Sequence, residues 1–245
     1  MIDLLLLLDI GNTTIRYRLY QDAIQKGQGT IKALSNWGSE EQKKFYNVSR
    51  IFYSDVRGGA AEEVRKIFPS IELISMETSQ LSLPYAVAYE TPETLGADRK
   101  ALAAAAFYSF PNTACLIIDA GSCITYDFID AKGVYHGGAI SPGIAMRYIA
   151  LHQQTGRLPA LKPHPPKGLI GHSTAASIHT GIHEGVLGEI THQITSYLEK
   201  HPNLQVVLTG GDGEWLSKSI KKPIFAEPNF LFDGMHALWQ FNKNS

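Results

Sequence analysis

Cysteine is scarce: the 245 residues hold two, Cys115 and Cys123, without CxxC spacing. This excludes a disulfide framework and a cysteine-rich metal site, and it suits a reduced, cytoplasmic chain. An excess of charge of either sign is missing as well. The 22 basic and 23 acidic residues leave a formal net charge of −1, so no global field gathers nucleic acid or acidic membrane, and neither is expected as a partner. No apolar run reaches the roughly 20 residues of a membrane-spanning helix. The run Leu4 to Leu8 sits between Asp3 and Asp9, and no Lys or Arg precedes it, so it reads as a buried central strand rather than a signal segment. There is no GxxxxGK[ST] loop, no GxGxxG after a strand and no HExxH, which removes the commonest glycine-rich phosphate grips and one zinc arrangement.

What the chain has is one pattern twice. Leu4 to Leu8 ends in Asp9-Ile10-Gly11-Asn12-Thr13-Thr14, and Cys115 to Ile118 ends in Asp119-Ala120-Gly121-Ser122-Cys123-Ile124-Thr125. Each copy is an apolar strand, then Asp-x-Gly-[Asn/Ser], then residues suited to a second strand. Two strand–acidic turn–strand units predict two similar α/β domains with a nucleotide cleft between their turns, and hence an ATP-dependent phosphotransferase. Gly11 lets the backbone approach a ligand closely. Turn N–H groups with the hydroxyls of Thr13 and Thr14 can cradle phosphate oxygens, and Asp9 can hold Mg²⁺ directly or through water. A single copy would read equally well as a hairpin turn with an Asx-type bond; the second copy favours phosphate binding.

The elements follow from pattern. Thr14 to Tyr20 alternates Ile15, Tyr17 and Leu19 with Arg16 and Arg18, the period of a half-buried strand. Gly27 and Gly29 predict a turn before a strand over Thr30 to Leu34. A polar helix is expected over Ser39 to Tyr46, a strand at Arg50 to Tyr53, a helix at Ala60 to Ile67 and a strand at Glu72 to Ser75. The alanine-rich stretch after Asp98 predicts a helix to Phe110, stopped by Pro111-Asn112. The domains are therefore expected at 1–111 and 112–245. In the second, Gly137 to Gly143 predicts a glycine-rich turn, with Ser141-Pro142 opening a helix. Pro159 to Gly171 reads as a surface loop, Thr174 to Lys200 as a long helix, Leu204 to Leu208 as a strand and Asn229 to Asn242 as a helix.

Three further features bear on chemistry. Asp98, in Gly96-Ala97-Asp98-Arg99, either suits a helix dipole or takes a proton from a substrate hydroxyl, with Arg99 neutralising phosphoryl charge. Thr209-Gly210-Gly211-Asp212 follows a strand, and its glycines permit flat approach of a purine. His179 and His183, four apart on a helix, can share a face, but a metal site would need a third ligand.

The ordered set Asp9 to Thr13, Gly96 to Arg99, Asp119 to Ser122 and Gly137 to Gly143 resembles the type III pantothenate kinases. Thr155-Gly156-Arg157-Leu158-Pro159 and Gly171-His172-Ser173-Thr174 are similar to that family too, so the likeness runs through nearly the whole chain. The resemblance implies two ribonuclease-H-like domains of the actin and sugar-kinase superfamily around a nucleotide cleft. It implies transfer of the ATP γ-phosphoryl group to the 4′-hydroxyl of pantothenate, the first step toward coenzyme A. By that likeness Asp9, Ile10, Gly11, Asn12, Thr13, Thr14, Ile15 and Arg16 form the first phosphate loop and Ser122 contacts ATP. Asp98 is the base. Tyr89, Gly96, Ala97, Asp98, Arg99 and Thr174 line the pantothenate site. Asp119 binds a monovalent cation, K⁺ or NH₄⁺, beside the Mg²⁺ at Asp9, and the chain forms a homodimer.

Two departures stand out. The family usually has Thr where Ser122 keeps the hydroxyl, and its common Gly-Lys-Asn-Thr is Gly171-His172-Ser173-Thr174 here, which drops a fixed positive charge beside the substrate. An exposed Asp is a weak base near its reference pKa of about 4, so Asp98 is expected to orient the hydroxyl and accept its proton late. The competing expectation is a non-catalytic regulator of the same fold, which would tolerate decay of Asp98 and the acidic turns; all are present.

Overall fold

A computed structural model describes residues 4–12, 14–37, 45, 47–78 and 80–243. Thr13 and, apart from Phe45, the helix expected over Ser39 to Tyr46 lie outside the described residues. In chain order the first elements are β1 Leu4–Ile10, β2 Ile15–Gln21, β3 Ile24–Ile31, β4 Val48–Asp55, α1 Ala60–Ile67, β5 Glu72–Ser75, β6 Ala86–Val87 and α2 Ala97–Ser109. The remainder are β7 Cys115–Ala120, β8 Cys123–Ile129, β9 Val134–Pro142, α3 Ile144–Gln153, α4 Thr174–Lys200, β10 Gln205–Thr209, α5 Gly213–Ser217, β11 Phe225–Ala226 and α6 Phe230–Asn242. Short 3₁₀ turns fall at Leu34–Asn36 and Pro92–Thr94.

The chain divides into two compact units: Met1–Pro84 with Thr91–Ala105 and Phe232–Ser245, and Tyr85–Glu90 with Ala106–Leu231. Residue 111, the expected boundary, falls between the two acidic turns, and each turn lies in a different unit. The sheets confirm the internal repeat. The first has the order β3-β2-β1-β4-β5, and the second, read from one edge, β11-β10-β7-β8-β9-β6. Read the other way, β9-β8-β7-β10-β11 reproduces the first order strand for strand, with β6 added at the β9 edge. In both, the first three strands are antiparallel neighbours and the fourth joins the first in parallel. Each unit is thus an α/β sheet of the same strand order, as the repeated pattern predicts.

Burial explains the apolar strands. In β1, Leu6, Leu8 and Ile10 face a core with Ile15, Leu34, Trp37, Phe45 and Val64. Leu5 and Leu7, on the other face, are buried too, as a central strand covered on both sides requires. In the second unit Leu116, Ile118 and Ala120 pack with Ile178, Ile182, Val186 and Ile190 of α4. Each fully buried Leu or Ile contributes about 1.5–3 kcal/mol.

Three expectations are corrected. Gly27 and Gly29 do not form a turn; they lie inside β3, opposite Leu19 and Tyr17. A side chain on Gly29 would start 2.6 Å from the Tyr17 ring, so the glycine answers packing rather than chain reversal. Gly137 to Gly143 is not a glycine-rich turn either. Residues Gly137 to Pro142 belong to β9, where a Cβ on Gly138 would fall 1.6 Å from the Tyr126 carbonyl oxygen of β8. Ser141-Pro142 therefore ends a strand, and Gly143, in extended conformation, is the residue that precedes α3. Arg18 alternates as expected, but its face of β2 is covered: the side chain is buried, over the Phe232 ring and 3.9 Å from the Asp233 carboxylate.

The position of α2 depends on another small residue. A Cβ on Gly234 of α6 would lie 1.8 Å from the Ala101 carbonyl oxygen of α2. Gly234→Ala is expected to destabilise the chain by about 3 kcal/mol or more, because two backbones would have to separate. Urea unfolding of the purified variant measures this.

Candidate active site

In the first unit the acidic turn closes a hairpin. Ile10 pairs with Ile15, and the Gly11 N–H donates to the Thr14 carbonyl at 3.0 Å. Ile10 and Ile15 bury their side chains completely, whereas Asn12 and Thr14 are exposed. Only the backbone of the two isoleucines is thus offered to a ligand. Asp9, nearly buried at the end of β1, stands opposite Arg16 on β2. The guanidinium donates from Nε at 2.9 Å and from Nη2 at 2.7 Å, both to Oδ2 of Asp9. Two hydrogen bonds onto one carboxylate oxygen hold both side chains, while Arg16 remains about one-third exposed at 34%.

Asp98 belongs to the same unit, in the first turn of α2. Its Oδ1 accepts from the Arg99 N–H at 2.7 Å. A Cβ on Gly96 would lie 2.6 Å from that oxygen, so the absence of a side chain there leaves the carboxylate its place. Ala97 and Arg99 are buried. Burial pushes the Asp98 carboxyl above its ordinary value of 3.8, and the nearby charge of Asp9 adds to the rise. The Arg99 N–H and guanidinium oppose this without cancelling it. Asp98 is therefore a stronger base than the solvent-exposed aspartate expected from sequence.

In the second unit three short turns meet. Asp119 ends β7, in register with Thr125 of β8 and Thr209 of β10. The Gly121 N–H donates to Cys123 O at 2.9 Å, the Gly143 N–H to Ser122 O at 3.1 Å, and the Asp212 N–H to Ala120 O at 2.9 Å. Gly210 has φ +91, in the left-handed region, and a Cβ there would lie 2.3 Å from Asp119 Oδ1 and 2.4 Å from Ala120 O. A Cβ on Gly143 would lie 2.2 Å from Gly121 O. Glycine is thus required where the 209–212 and 143 turns press on the acidic turn. Asp119 and the carbonyl oxygens of these turns are of the donor type that a hard cation takes. Ser122, in the acidic turn, is exposed. Asp212 is half-buried, and burial raises its carboxyl above the usual range.

Two other expected substrate residues also lie in this unit. Tyr89 is half-buried, its ring 6.2 Å from that of Tyr135 and lying over Gly137, whose φ is +88. Thr174 opens α4, exposed, on a 900 Å³ groove between α3 and α4 walled by Leu151, Leu158, Ile178 and Ile182. Arg147 lines this groove and bonds Glu189 at 2.5 Å, Ser141 at 2.9 Å and Pro142 O at 2.9 Å. Burial works to raise the Glu189 carboxyl, but the Arg147 and Tyr126 hydrogen bonds prevail and hold it below the usual range. The Arg147–Glu189 pair carries no sequence signal, since its members are far apart in the chain. The role of Gly210 was signalled only by a glycine pair after a strand.

The sequence pattern of the type III pantothenate kinases matches residues 5–196. The chain belongs to that family. It is 36% identical to the type III pantothenate kinase of Flavobacterium psychrophilum over 98% of this chain and 100% of that protein. It is 40% identical to that of Christiangramia forsetii over 97% of this chain and 98% of that protein. Among solved structures it resembles a conserved Baf family protein from Campylobacter jejuni, with a TM-score of 0.61 and 23% identity, over 98% of this chain and 100% of that one. It also resembles the ethanolamine utilization protein EutJ from Carboxydothermus hydrogenoformans, with a TM-score of 0.52, 13% identity and 98% and 90% coverage. At these identities the structural likenesses speak for the fold alone.

For a type III pantothenate kinase, the raised pKa of Asp98 has a stability consequence. A carboxyl with a raised folded pKa binds its proton more readily in the folded state, so stability falls as pH rises from 3.8 through the folded value. Asp98→Asn removes that cost. The variant is expected to melt higher than the parent at pH 7, with the gap closing as pH is lowered toward 4. Calorimetry across that range checks it; an equal or lower melting point at pH 7 would refute the burial effect.

Proposed function

We propose that the chain carries out the reaction its family is named for: it moves the γ-phosphoryl group of ATP to the 4′-hydroxyl of pantothenate, with Asp98 receiving the hydroxyl proton. The observation that carries this reading is the setting of Asp98: on the first turn of a helix, cleared by Gly96, and made more basic by burial and by Asp9. Phosphoryl transfer passes through a loose transition state, so orientation and charge neutralisation matter more than early deprotonation. Asp98 orients the hydroxyl and accepts the proton as the bond to phosphorus forms. Arg99 offsets charge on the acceptor side.

ATP is held by the backbone of the turn from Asp9 to Arg16 and by Ser122. Arg16 spends Nε and one Nη on Asp9, which leaves Nη1 for a phosphate oxygen. Mg²⁺ fits at Asp9, where Arg16 engages Oδ2 and Oδ1 is the remaining carboxylate oxygen. K⁺ or NH₄⁺ is assigned to Asp119 by the family resemblance, beside a turn in which position 210 admits only glycine. Such cations supply neutralising charge to the phosphates. Tyr89, Gly96, Ala97, Arg99 and Thr174 form the pantothenate site. A non-catalytic regulator would have no use for a carboxylate with raised basicity beside a second one.

We further propose a homodimer and a cytoplasmic location. Met146 and Ile149 of α3 are exposed apolar residues beside the groove that holds Thr174, and Gly181 on α4 has open space where a side chain would stand. A second copy seated there would cover them. Among the described residues no helix is long and apolar enough to cross a membrane.

With ATP, Mg²⁺ and pantothenate, the purified chain is expected to release ADP, faster with K⁺ than without. Asp98→Asn should keep nucleotide binding and lose turnover by about 100-fold or more; near-parental turnover would remove Asp98 as the base. Asp119→Asn should abolish the response to K⁺. Ile149→Glu should shift the sedimentation coefficient from dimer to monomer, and a parental value would move the interface elsewhere.

A further inference from the structure

The histidine pair visible by spacing separates in the structure. His183 turns into the core, its ring centre 3.9 Å from that of Trp215, and neither of its ring nitrogens has a hydrogen-bond partner among the described residues. His179 meets a different histidine. His164, in the segment between α3 and α4, brings its ring centre within 5.6 Å of that of His179, at 52° between planes. Both line a 590 Å³ cavity between that segment and the start of α4, open to solvent at His164.

The hydrogen bonds of the two rings resemble those of metal-bound imidazoles. Nδ1 of His164 lies 2.7 Å from the Pro165 carbonyl oxygen. A carbonyl only accepts, so Nδ1 carries the proton and Nε2 carries the lone pair. Nδ1 of His179 lies 2.7 Å from the hydroxyl of buried Tyr148, which accepts from it when His179 carries its proton on Nδ1. A ligating histidine characteristically donates its second ring N–H to a carbonyl, carboxylate or water, which fixes the ring and the tautomer; the His164 contact has this form, and the Tyr148 hydroxyl orients the ring of His179. Here both rings are tied through Nδ1, and among the described residues neither Nε2 has a hydrogen-bond partner. With Zn–N bonds of about 2.0–2.1 Å, two imidazoles on one tetrahedral ion place their ring centres about 5–6 Å apart, the separation present.

We propose that His164 and His179 form a two-histidine site for a borderline first-row dication of the Zn²⁺ class, bound through both Nε2 atoms with water completing its coordination. Among the described residues no third His, Cys, Asp or Glu completes a group of ligands, so the site is exchangeable rather than structural. Its effect is mechanical: the ion fastens the 159–173 segment to α4 five residues from Thr174. This stands independently of the phosphoryl-transfer reading, since it involves no residue of that chemistry.

The test uses the full chain, stripped with chelator and titrated calorimetrically with ZnCl₂ at pH 7.5. One saturable equivalent is expected, weakened at least tenfold in both His164→Gln and His179→Gln and unchanged in His192→Gln, a histidine elsewhere on α4. Zinc should also slow tryptic cleavage after Lys167 in the parent but not in His164→Gln. His164 is exposed on a loop, so folding is not at stake in that variant, and circular dichroism verifies it for the other. Absence of saturable uptake, uptake that survives both substitutions, or equal loss in His192→Gln would each overturn the site.

Discussion

A carboxylate at the carboxyl end of a central strand is costly to bury unless opposite charge or hydrogen-bond donors meet it. Both units are organised around that constraint, and they meet it differently. In the first, the hairpin register places Arg16 directly across from Asp9, and two hydrogen bonds converge on one oxygen. In the second, the equivalent register places uncharged Thr125 across from Asp119, and Gly210, with positive φ, is pressed against the carboxylate. One repeat thus carries its own cation in a side chain. The other sets its carboxylate against the glycine backbone of a neighbouring turn.

The same constraint explains the glycines. Those that matter sit where one backbone or carboxylate leans on another: Gly96 by Asp98, Gly138 against Tyr126, Gly210 by Asp119 and Gly234 against Ala101. Each marks a contact in which a methyl group would displace a carboxylate, a strand or a helix. The positioning of the Asp98 carboxylate is therefore distributed. Gly96 clears its immediate surroundings, Gly234 sets the helix it stands on, and Asp9 and burial set its basicity.

Much of this was legible without coordinates. The doubled Asp-x-Gly pattern predicted two like sheets, and the strand orders match because a strand, an acidic turn and a return strand are local features that short-range pattern encodes. The alanine-rich helix after Asp98 and the long helix from Thr174 followed from propensity and periodicity in the same way. The failures share a cause. Gly27, Gly29 and the Gly137 to Gly143 run were read as turns because glycine most often serves chain reversal. In the folded chain these glycines accommodate a ring from β2, a ring at Tyr89 and a carbonyl from β8, neighbours that are not adjacent in sequence. Arg18 was assigned to solvent by alternation, yet α6, more than two hundred residues later, covers that face.

The sequence by itself determined the family, the repeated strand–turn–strand unit, the identity of the acidic residues and the order of the motifs, because each resides in a few consecutive residues whose chemistry does not depend on distant partners. Only the tertiary structure decided how basic Asp98 is, that Gly210 must be glycine beside Asp119, that Arg147 and Glu189 pair, and that His179 belongs with His164 rather than His183. Desolvation, close backbone approach and the pairing of remote side chains arise only when the chain is folded, since they are properties of the space between segments and not of any segment alone.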